Sequence, residues 1–346
     1  AVFLVCSHFW KEMSNQLAGL GVRPEAIVPI QLRTFGESLS ENIKSLCRGI
    51  RLYRKITREY PGCEILLCPY PGTGDIYLIG TFLEQFAKKK GIKDYVLVVV
   101  SSACKKTANI FSITNIAVIE GPSACRDLVR YYMVCPKECR IRIMNDSWGD
   151  IYTNPVQWIR GLHGMNFAEM FRRFVFDMDE NIQPQHPRFP DKSQEINMLK
   201  KRSGMKEKRS VLLSPYAVTL SDMPDTFWKE LAEKLEIKGY AVYTNIGSEE
   251  EKAIDGTCPL SFPLEMAPQL VSWMGGFVGI RSGLCDIISG AEAKKVILYD
   301  KSNFFFNVSA FEYFSLNKMG LSKDAVEIQY DNQNLRDVLE QVLSMF

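Results

Sequence analysis

The stretch FVGIRSGLCDIISGAEAKKVILYD, residues 277–300, reads as strand, turn, helix and strand. Residues 277–280 form a short apolar run, 286–291 open a helix, and 296–299 are apolar again. Arg281, Ser282 and Gly283 fill the turn between the first strand and the helix. A turn that feeds a helix offers unpaired backbone N–H groups and the positive end of the helix dipole, a setting that suits an anion such as phosphate. Ser282 adds a hydroxyl, and Arg281 a planar fork able to grip two oxygens. The competing reading is structural: an arginine in a β–α turn that pairs with a nearby carboxylate, here Asp286.

The same rhythm recurs upstream. Strands are expected at 63–68 (CEILLC), 95–100 (YVLVVV), 116–119 and 141–144, with helices at 76–90, 103–111 and 123–134 between them. Continuous apolar strands alternating with helices imply a parallel sheet covered on both faces. A second run follows, with strands at 210–213 and 240–243 and helices at 225–235, 248–254 and 264–272, before the opening stretch. An amphipathic helix at 335–343 closes the chain and is free to pack back on the first domain. The proline-rich 181–190 and the charge run KKRSGMKEKR at 200–209 read as linker. The expected boundaries are 1–195 for a first Rossmann-like domain, 206–330 for a second, and 331–346 for the closing helix. Two such α/β units bind ligands outside the carboxyl ends of their strands, in a cleft between the domains.

Length and composition agree with two domains: 346 residues, 46% hydrophobic, with 42 basic against 40 acidic side chains. The near-balance of charge argues against a broad nucleic-acid surface. No apolar run reaches 18 residues, so no membrane-spanning helix is expected, and AVFLVCSHFW reads as a first strand. Residues 40–60 read as one amphipathic helix capped by Ser40. Its basic face, Lys44, Arg48, Arg51, Arg54, Lys55 and Arg58, is either solvated or a peripheral contact for acidic lipid head groups. The expected location is cytoplasmic, with that helix the contact to the inner membrane face.

Ten cysteines, at 6, 47, 63, 68, 104, 125, 135, 139, 258 and 285, scatter through apparent core segments and are expected to be free thiols. Cys135 and Cys139 have a spacing that suits zinc, but no second pair or nearby histidine completes a site. The histidines are His8, His163 and His186. The one acidic doublet of D-x-D form, Asp177–Asp179, reads as a polar connection. Neither a metal nor a cofactor is expected.

Three constellations carry candidate chemistry. In CPYPGTGDIYLIGTFLEQF, 68–86, Gly72 and Gly74 allow a tight turn with Thr73 between them, and Asp75 stands at a helix start. Asp75 either caps that helix or presents a carboxylate able to take a proton from a hydroxyl. The segment is neither a P-loop nor a dinucleotide fingerprint, lacking the Lys-Ser/Thr ending and the third glycine. In LLSPYAVTLSDMPDTFW, 212–228, Ser214 and Thr219 are hydroxyls in a strand-end loop. The third constellation runs from TNIGSEEE at 244–251 through LEMAPQL at 264–270 to the RSG turn.

The order of these pieces resembles the glycosyltransferase family 9 proteins, the bacterial lipopolysaccharide heptosyltransferases, and more loosely other GT-B glycosyltransferases. The family's G-D before an apolar helix is similar to Gly74–Asp75. Its second-domain strand, hydroxyl-bearing loop and W-P before a helix are similar to Ser214 through MPDTFW. Its T-G-G-x-x-E is similar to Thr244 through Glu249, its leucine-rich helix to LEMAPQL, and its D-T/S-G-x-x-H to the RSG turn. Arg281 stands where the family has aspartate, Asp286 where it has histidine, and the usual lysine is missing from VTLSDMP. The resemblance covers about residues 62–300. It implies a GT-B fold, α/β with two Rossmann-like parallel-sheet domains. It implies a metal-independent transfer from a nucleotide-sugar donor to a glycan or lipid-linked acceptor hydroxyl. Asp75 would be the base, on an acceptor-side loop of Gly72, Thr73 and Gly74. Arg281, Ser282, Gly283, Ser214, Tyr216, Asn245, Gly247, Glu265 and Met266 would hold the donor's nucleotide and diphosphate. A nucleotide-sugar epimerase or phosphosugar transferase on the same fold, or a non-catalytic nucleotide- or glycan-binding protein, stays open.

Overall fold

The computed structural model describes residues 3–6, 10–23, 27–30, 39–135, 139–144, 165–217, 220, 223–301, 303–305 and 308–346. The chain divides into two compact units, Ala1–Gln185 with Phe304–Val308, and His186–Asn303 with Ser309–Phe346. His8, His163 and Thr219 lie outside the described residues, as does the Cys6 side chain.

In the first unit, β1 (Phe3–Cys6) and β2 (Ile27–Ile30) form a parallel pair. A four-stranded parallel sheet follows, built from β3 (Glu64–Leu67), β4 (Tyr95–Val99), β5 (Ile116–Val118) and β6 (Ile141–Ile143) in the order β5-β4-β3-β6. Ile65 to Cys68 and Val96 to Val99 are fully buried, as continuous apolar strands in a covered sheet must be. The connecting helices run Thr73–Lys90, Ser102–Asn109 and Gly121–Val134. The expected strands and helices of this unit are present, with ends shifted by up to three residues.

The amphipathic helix spans Leu39–Glu59, so Ser40 lies inside it rather than capping it. It packs on Gly121–Val134, where Arg48 Nε bonds Asp127 at 2.7 Å and the Ser45 hydroxyl donates to the same carboxylate at 2.5 Å. Gly49 sits at the crossing, where an added Cβ would overlap the Asp127 carbonyl oxygen. Only glycine lets the two backbones come this close. Asp177 of the acidic doublet is exposed and takes ion pairs from Lys89 and Lys90 at the end of Thr73–Lys90. Among the described residues no three His, Cys, Asp or Glu side chains gather as a metal site.

The second unit carries a six-stranded sheet of β7 (Ser210–Ser214), β8 (Ala241–Asn245), β9 (Cys258–Leu260), β10 (Gly275–Ile280), β11 (Lys294–Asp300) and, after the short β12 (Asn303–Phe305) and β13 (Val308–Ser309), β14 (Val326–Tyr330). Its order is β14-β11-β10-β7-β8-β9, and every pairing is parallel. One face is covered by Asp225–Ile237, whose Phe227, Trp228, Leu231 and Leu235 pack on Val211, Leu213, Val242, Val278 and Ile280.

Four expectations need correction here. The closing helix, Leu335–Ser344, packs on the second unit, not the first: Val338, Leu339, Val342 and Leu343 join that core. Lys234 bonds Glu340 at 3.3 Å, and Tyr240 donates to the Phe346 carbonyl at 3.1 Å. The charge run is not all linker. Its first residues end a helix, Ser193–Ser203, closed by Gly204 in the left-handed conformation. Ile196 is buried, Lys200 lies over the Trp273 ring, and Tyr243 donates to the Ser203 carbonyl, so this helix belongs to the second unit. Residues 248–254 form no helix; turns and β9 follow β8 instead. The helix after the RSG turn begins at Gly283, three residues before the expected start, and ends at Ile287.

Nine cysteines are described, and all are free thiols. Cys47 and Cys258 are exposed, whereas Cys63, Cys68, Cys104, Cys125, Cys139 and Cys285 are buried. Burial pushes the Cys125 thiol up to about 12 and raises Cys68, Cys104 and Cys285 as well, so their reactive thiolate is scarce near neutral pH. A thiol reagent under native conditions is therefore expected to label Cys47 and Cys258 first and the six buried cysteines only on unfolding. Peptide mapping of the labelled protein checks this. Rapid native labelling of Cys68 or Cys125 would contradict the packing.

Candidate active site

The two candidate clusters lie at the carboxyl ends of their own sheets. In the first unit β3 ends at Leu67, and Cys68 to Pro71 lead into Thr73–Lys90. Gly72 is the N-cap, with extended backbone and no side-chain cap bond. Asp75 is the third residue of the helix, a position from which a carboxylate can reach back toward the N-cap. The half-buried Asp75 carboxylate folds back over Gly72, and a Cβ there would collide with it. The turn is braced from a neighbouring helix: the Cys104 thiol reaches the carbonyls of Tyr70 and Pro71 at 3.6 and 3.5 Å. Cys104 belongs to Ser102–Asn109, which is capped by the Ser101 hydroxyl accepting from the Cys104 amide. Burial and then the nearby charge of Asp75 keep that thiol protonated. The Tyr70 ring rests on Phe171, 5.4 Å between centroids. The arrangement presents one carboxylate at the positive end of an 18-residue helix.

In the second unit, β8, β7 and β10 are neighbours, so their ends share one edge. Ser214 is the last residue of β7 and pairs with Gly279. Asn245 ends β8 and pairs with Leu260. The loops beyond tie together: Tyr216 donates to the Lys252 carbonyl at 2.7 Å, and the Gly247 amide donates to Glu251 at 2.6 Å. Ser282 precedes Gly283–Ile287 with no side-chain cap bond. Ser214, Tyr216, Asn245, Gly247, Ser282 and Gly283 therefore gather at this edge. Glu265 is half-buried in the 3-10 turn Leu264–Met266, whereas Met266 is buried in the core and presents no side chain to a ligand.

Arg281 differs most from the expected diphosphate contact. Its side chain is 7% exposed and that of Asp286 is 3% exposed. Nη2 bonds Asp286 Oδ1 at 2.6 Å, and Nη1 bonds Asp286 Oδ2 at 3.1 Å and the Ser282 carbonyl at 2.6 Å. Nε donates to the Phe314 carbonyl at 2.9 Å. Four of the five N–H donors are thus engaged inside the protein. Burial, the largest influence, lowers the Arg281 pKa, but Asp286 together with Tyr299 and Cys285 outweighs it, and the net shift is upward. The structural reading of the RSG arginine is the one the geometry supports.

Sequence reasoning missed the rest of this network. Tyr299 on β11 lies 2.5 Å from Glu327 on β14 and 3.2 Å from the Phe314 carbonyl. Glu327 also accepts from the Ser315 hydroxyl and the Leu316 amide, both at 2.7 Å. Nothing in their spacing marks these residues, which meet only when β10, β11 and β14 pair. Glu251 was equally unmarked. The resemblance draws attention to Glu249, which is exposed, while the acid two residues on takes the Gly247 amide.

No family model and no curated protein sequence matches the chain. Solved structures do match its fold. The ADP-heptose lipopolysaccharide heptosyltransferase II of E. coli aligns with 82% of this chain and 97% of its own, at TM-score 0.56 and 13% identity. A glycosyl transferase family 9 protein of Veillonella parvula covers 82% and 92%, at TM-score 0.53 and 12% identity. A second E. coli heptosyltransferase, solved with ADP, covers 82% and 99%, at TM-score 0.51 and 12% identity. With its two parallel-sheet α/β units, the chain has the GT-B fold of the bacterial heptosyltransferases.

Proposed function

We propose that the protein is a glycosyltransferase that moves a sugar from a nucleotide-sugar donor to an acceptor hydroxyl, in the synthesis of a surface polysaccharide or other glycan. The observation that carries this reading is the fold shared over 82% of the chain with sugar-nucleotide-dependent enzymes, with Asp75 at the strand-end turn of the first unit. The donor binds at the edge formed by β8, β7 and β10. Ser214, Tyr216, Asn245, Gly247, Ser282 and Gly283 supply hydroxyls and amides, and Glu265 a carboxylate suited to sugar hydroxyls. The acceptor, a glycan or a lipid-linked one, binds at Gly72, Thr73 and Gly74. Asp75 takes the proton of the attacking hydroxyl as its oxygen bonds the sugar's anomeric carbon and the nucleoside diphosphate departs. No metal or cofactor is assigned a step.

A peripheral contact with acidic lipid is part of the proposal. Lys44, Arg51, Arg54, Lys55 and Arg58 are all exposed on Leu39–Glu59, while Arg48 is tied to Asp127. Among the described residues no helix is long and apolar enough to cross a membrane.

Thermal denaturation with a panel of nucleoside diphosphates tests the reading. A true ligand at 100 times its Kd adds about 2.7 kcal/mol of apparent stability, and ADP is a natural first member of the panel. The matching nucleotide-sugar should then release nucleoside diphosphate only with an acceptor present. No stabilisation by any member would overturn the donor assignment.

A further inference from the structure

We propose that Arg281 and Asp286 are positioning residues: they set the donor turn Ser282–Gly283 from behind and do not touch the donor. The inference rests on the glycosyltransferase reading for its functional consequence. Its structural basis is independent of that reading.

Arg281 Nη1 bonds the carbonyl of the very next residue, Ser282, at 2.6 Å. The same carbonyl accepts from the Cys285 amide at 3.0 Å. The guanidinium is buried, so this carbonyl is drawn toward the interior. No peptide bond among the described residues is cis. In a trans peptide the C=O and the following N–H point opposite ways. The Gly283 amide is therefore directed away from the buried arginine, and the arginine decides which face of this peptide meets a ligand.

Asp286 fixes the arginine in turn. Its two oxygens engage both Nη atoms, which leaves the planar fork one orientation. Nε then falls on the Phe314 carbonyl, which closes the helix Ala310–Phe314. That helix is itself held, by the Ser309–Glu312 capping box at its start. Beyond it Glu327 grips Ser315 and Leu316. The chain of contacts runs from Asp286 through Arg281 and Phe314 to Tyr299 and Glu327, so the turn is referenced to β11 and β14 as well as to its own strand. A side chain that merely filled space would not need this agreement between four directed donors.

Replacing a buried ion pair by apolar residues of similar volume is often tolerated by the fold, while the directional information is lost. The test uses the double variant Arg281→Met/Asp286→Leu in the full chain. It is expected to melt close to wild type yet bind the nucleoside diphosphate found in the thermal panel about 10- to 100-fold more weakly, the scale of a misplaced binding group. Hydrogen exchange at the Cys285 amide, which depends on the Ser282 carbonyl, should quicken, with exchange at Val278 in β10 unchanged. Unaltered affinity together with unaltered exchange at Cys285 overturns the proposal and leaves the pair as core filling. Wild-type protein that binds no nucleoside diphosphate defeats the donor assignment instead, and the exchange comparison alone then decides the positioning role. Should the double variant not fold, Asp286→Asn keeps the shape and removes the charge. Faster exchange at Cys285 in that variant supports the proposal, and wild-type exchange overturns it.

Discussion

Asp75→Asn is expected to lower turnover about 10²–10⁴-fold, the usual loss when a general base is removed. The acceptor hydroxyl is a poor nucleophile, and its proton must leave as the new bond forms. Asp75 is placed for this by two features. It is the third residue of Thr73–Lys90, directly after a strand end, and its carboxylate lies over Gly72, where any side chain would displace it. The rival role is support of the helix. As a first-turn carboxylate folded back over the N-cap Gly72, Asp75 supports the helix through the dipole, about 0.3–1 kcal/mol, and through hydrogen bonds that an asparagine oxygen can also accept. Asparagine has the same shape and lacks the charge. The variant should therefore lose at most about that much stability while losing almost all turnover. Nucleotide binding should be unchanged, because the donor groups belong to the other unit. Steady-state kinetics with the identified donor, alongside a denaturation curve, separate the two roles. A wild-type kcat in the Asp75→Asn variant would remove Asp75 from the chemistry.

The residues differ in how openly the sequence showed their part. CEILLC and YVLVVV could be read as buried parallel strands because such strands are apolar without alternation, and both are buried in β3 and β4. The short apolar run 277–280 became the end of β10 for the same reason. Local pattern failed where the deciding contact is distant. Ser193–Ser203 runs into the charge run at 200–203 and buries one side chain, Ile196, so its pattern is weak, and its docking depends on Trp273 and Tyr243 far along the chain. The apparent helix at 248–254 is overridden because the Ile254 amide donates to Thr244 and the Tyr216 hydroxyl holds Lys252. The closing helix was legible as amphipathic, but amphipathicity says that a face is buried and not against what. At the site, the turn chemistry of Gly72 and Asp75 was legible from glycine and a first-turn acid. The fate of Arg281 was not: both readings were open from sequence, and only the depth of the turn and the Phe314 carbonyl decide between them.

That decision has a measurable consequence, because the two readings of Arg281 predict opposite failures. A diphosphate ligand at the surface could be truncated with little loss of stability. A buried strut cannot. Arg281→Ala would leave the Asp286 carboxylate, 3% exposed, without the two bonds at 2.6 and 3.1 Å that compensate its burial. It would also strip a donor from the carbonyls of Ser282 and Phe314. Removing one partner of a buried pair costs about 3–5 kcal/mol, a large share of the roughly 5–15 kcal/mol that holds a typical domain together. For a unit of this size, that corresponds to a fall in Tm of about 6–20 °C. A thermal melt followed by intrinsic fluorescence, to which Trp228 and Trp273 of the second unit contribute, should show it. A loss under about 1 kcal/mol would place Arg281 among ordinary surface groups, for which substitutions move stability by about half that. The companion Asp286→Ala should fall by a similar amount, since it strands the guanidinium instead. Because the two residues share one interaction, the double apolar variant should lose far less than the sum of the singles.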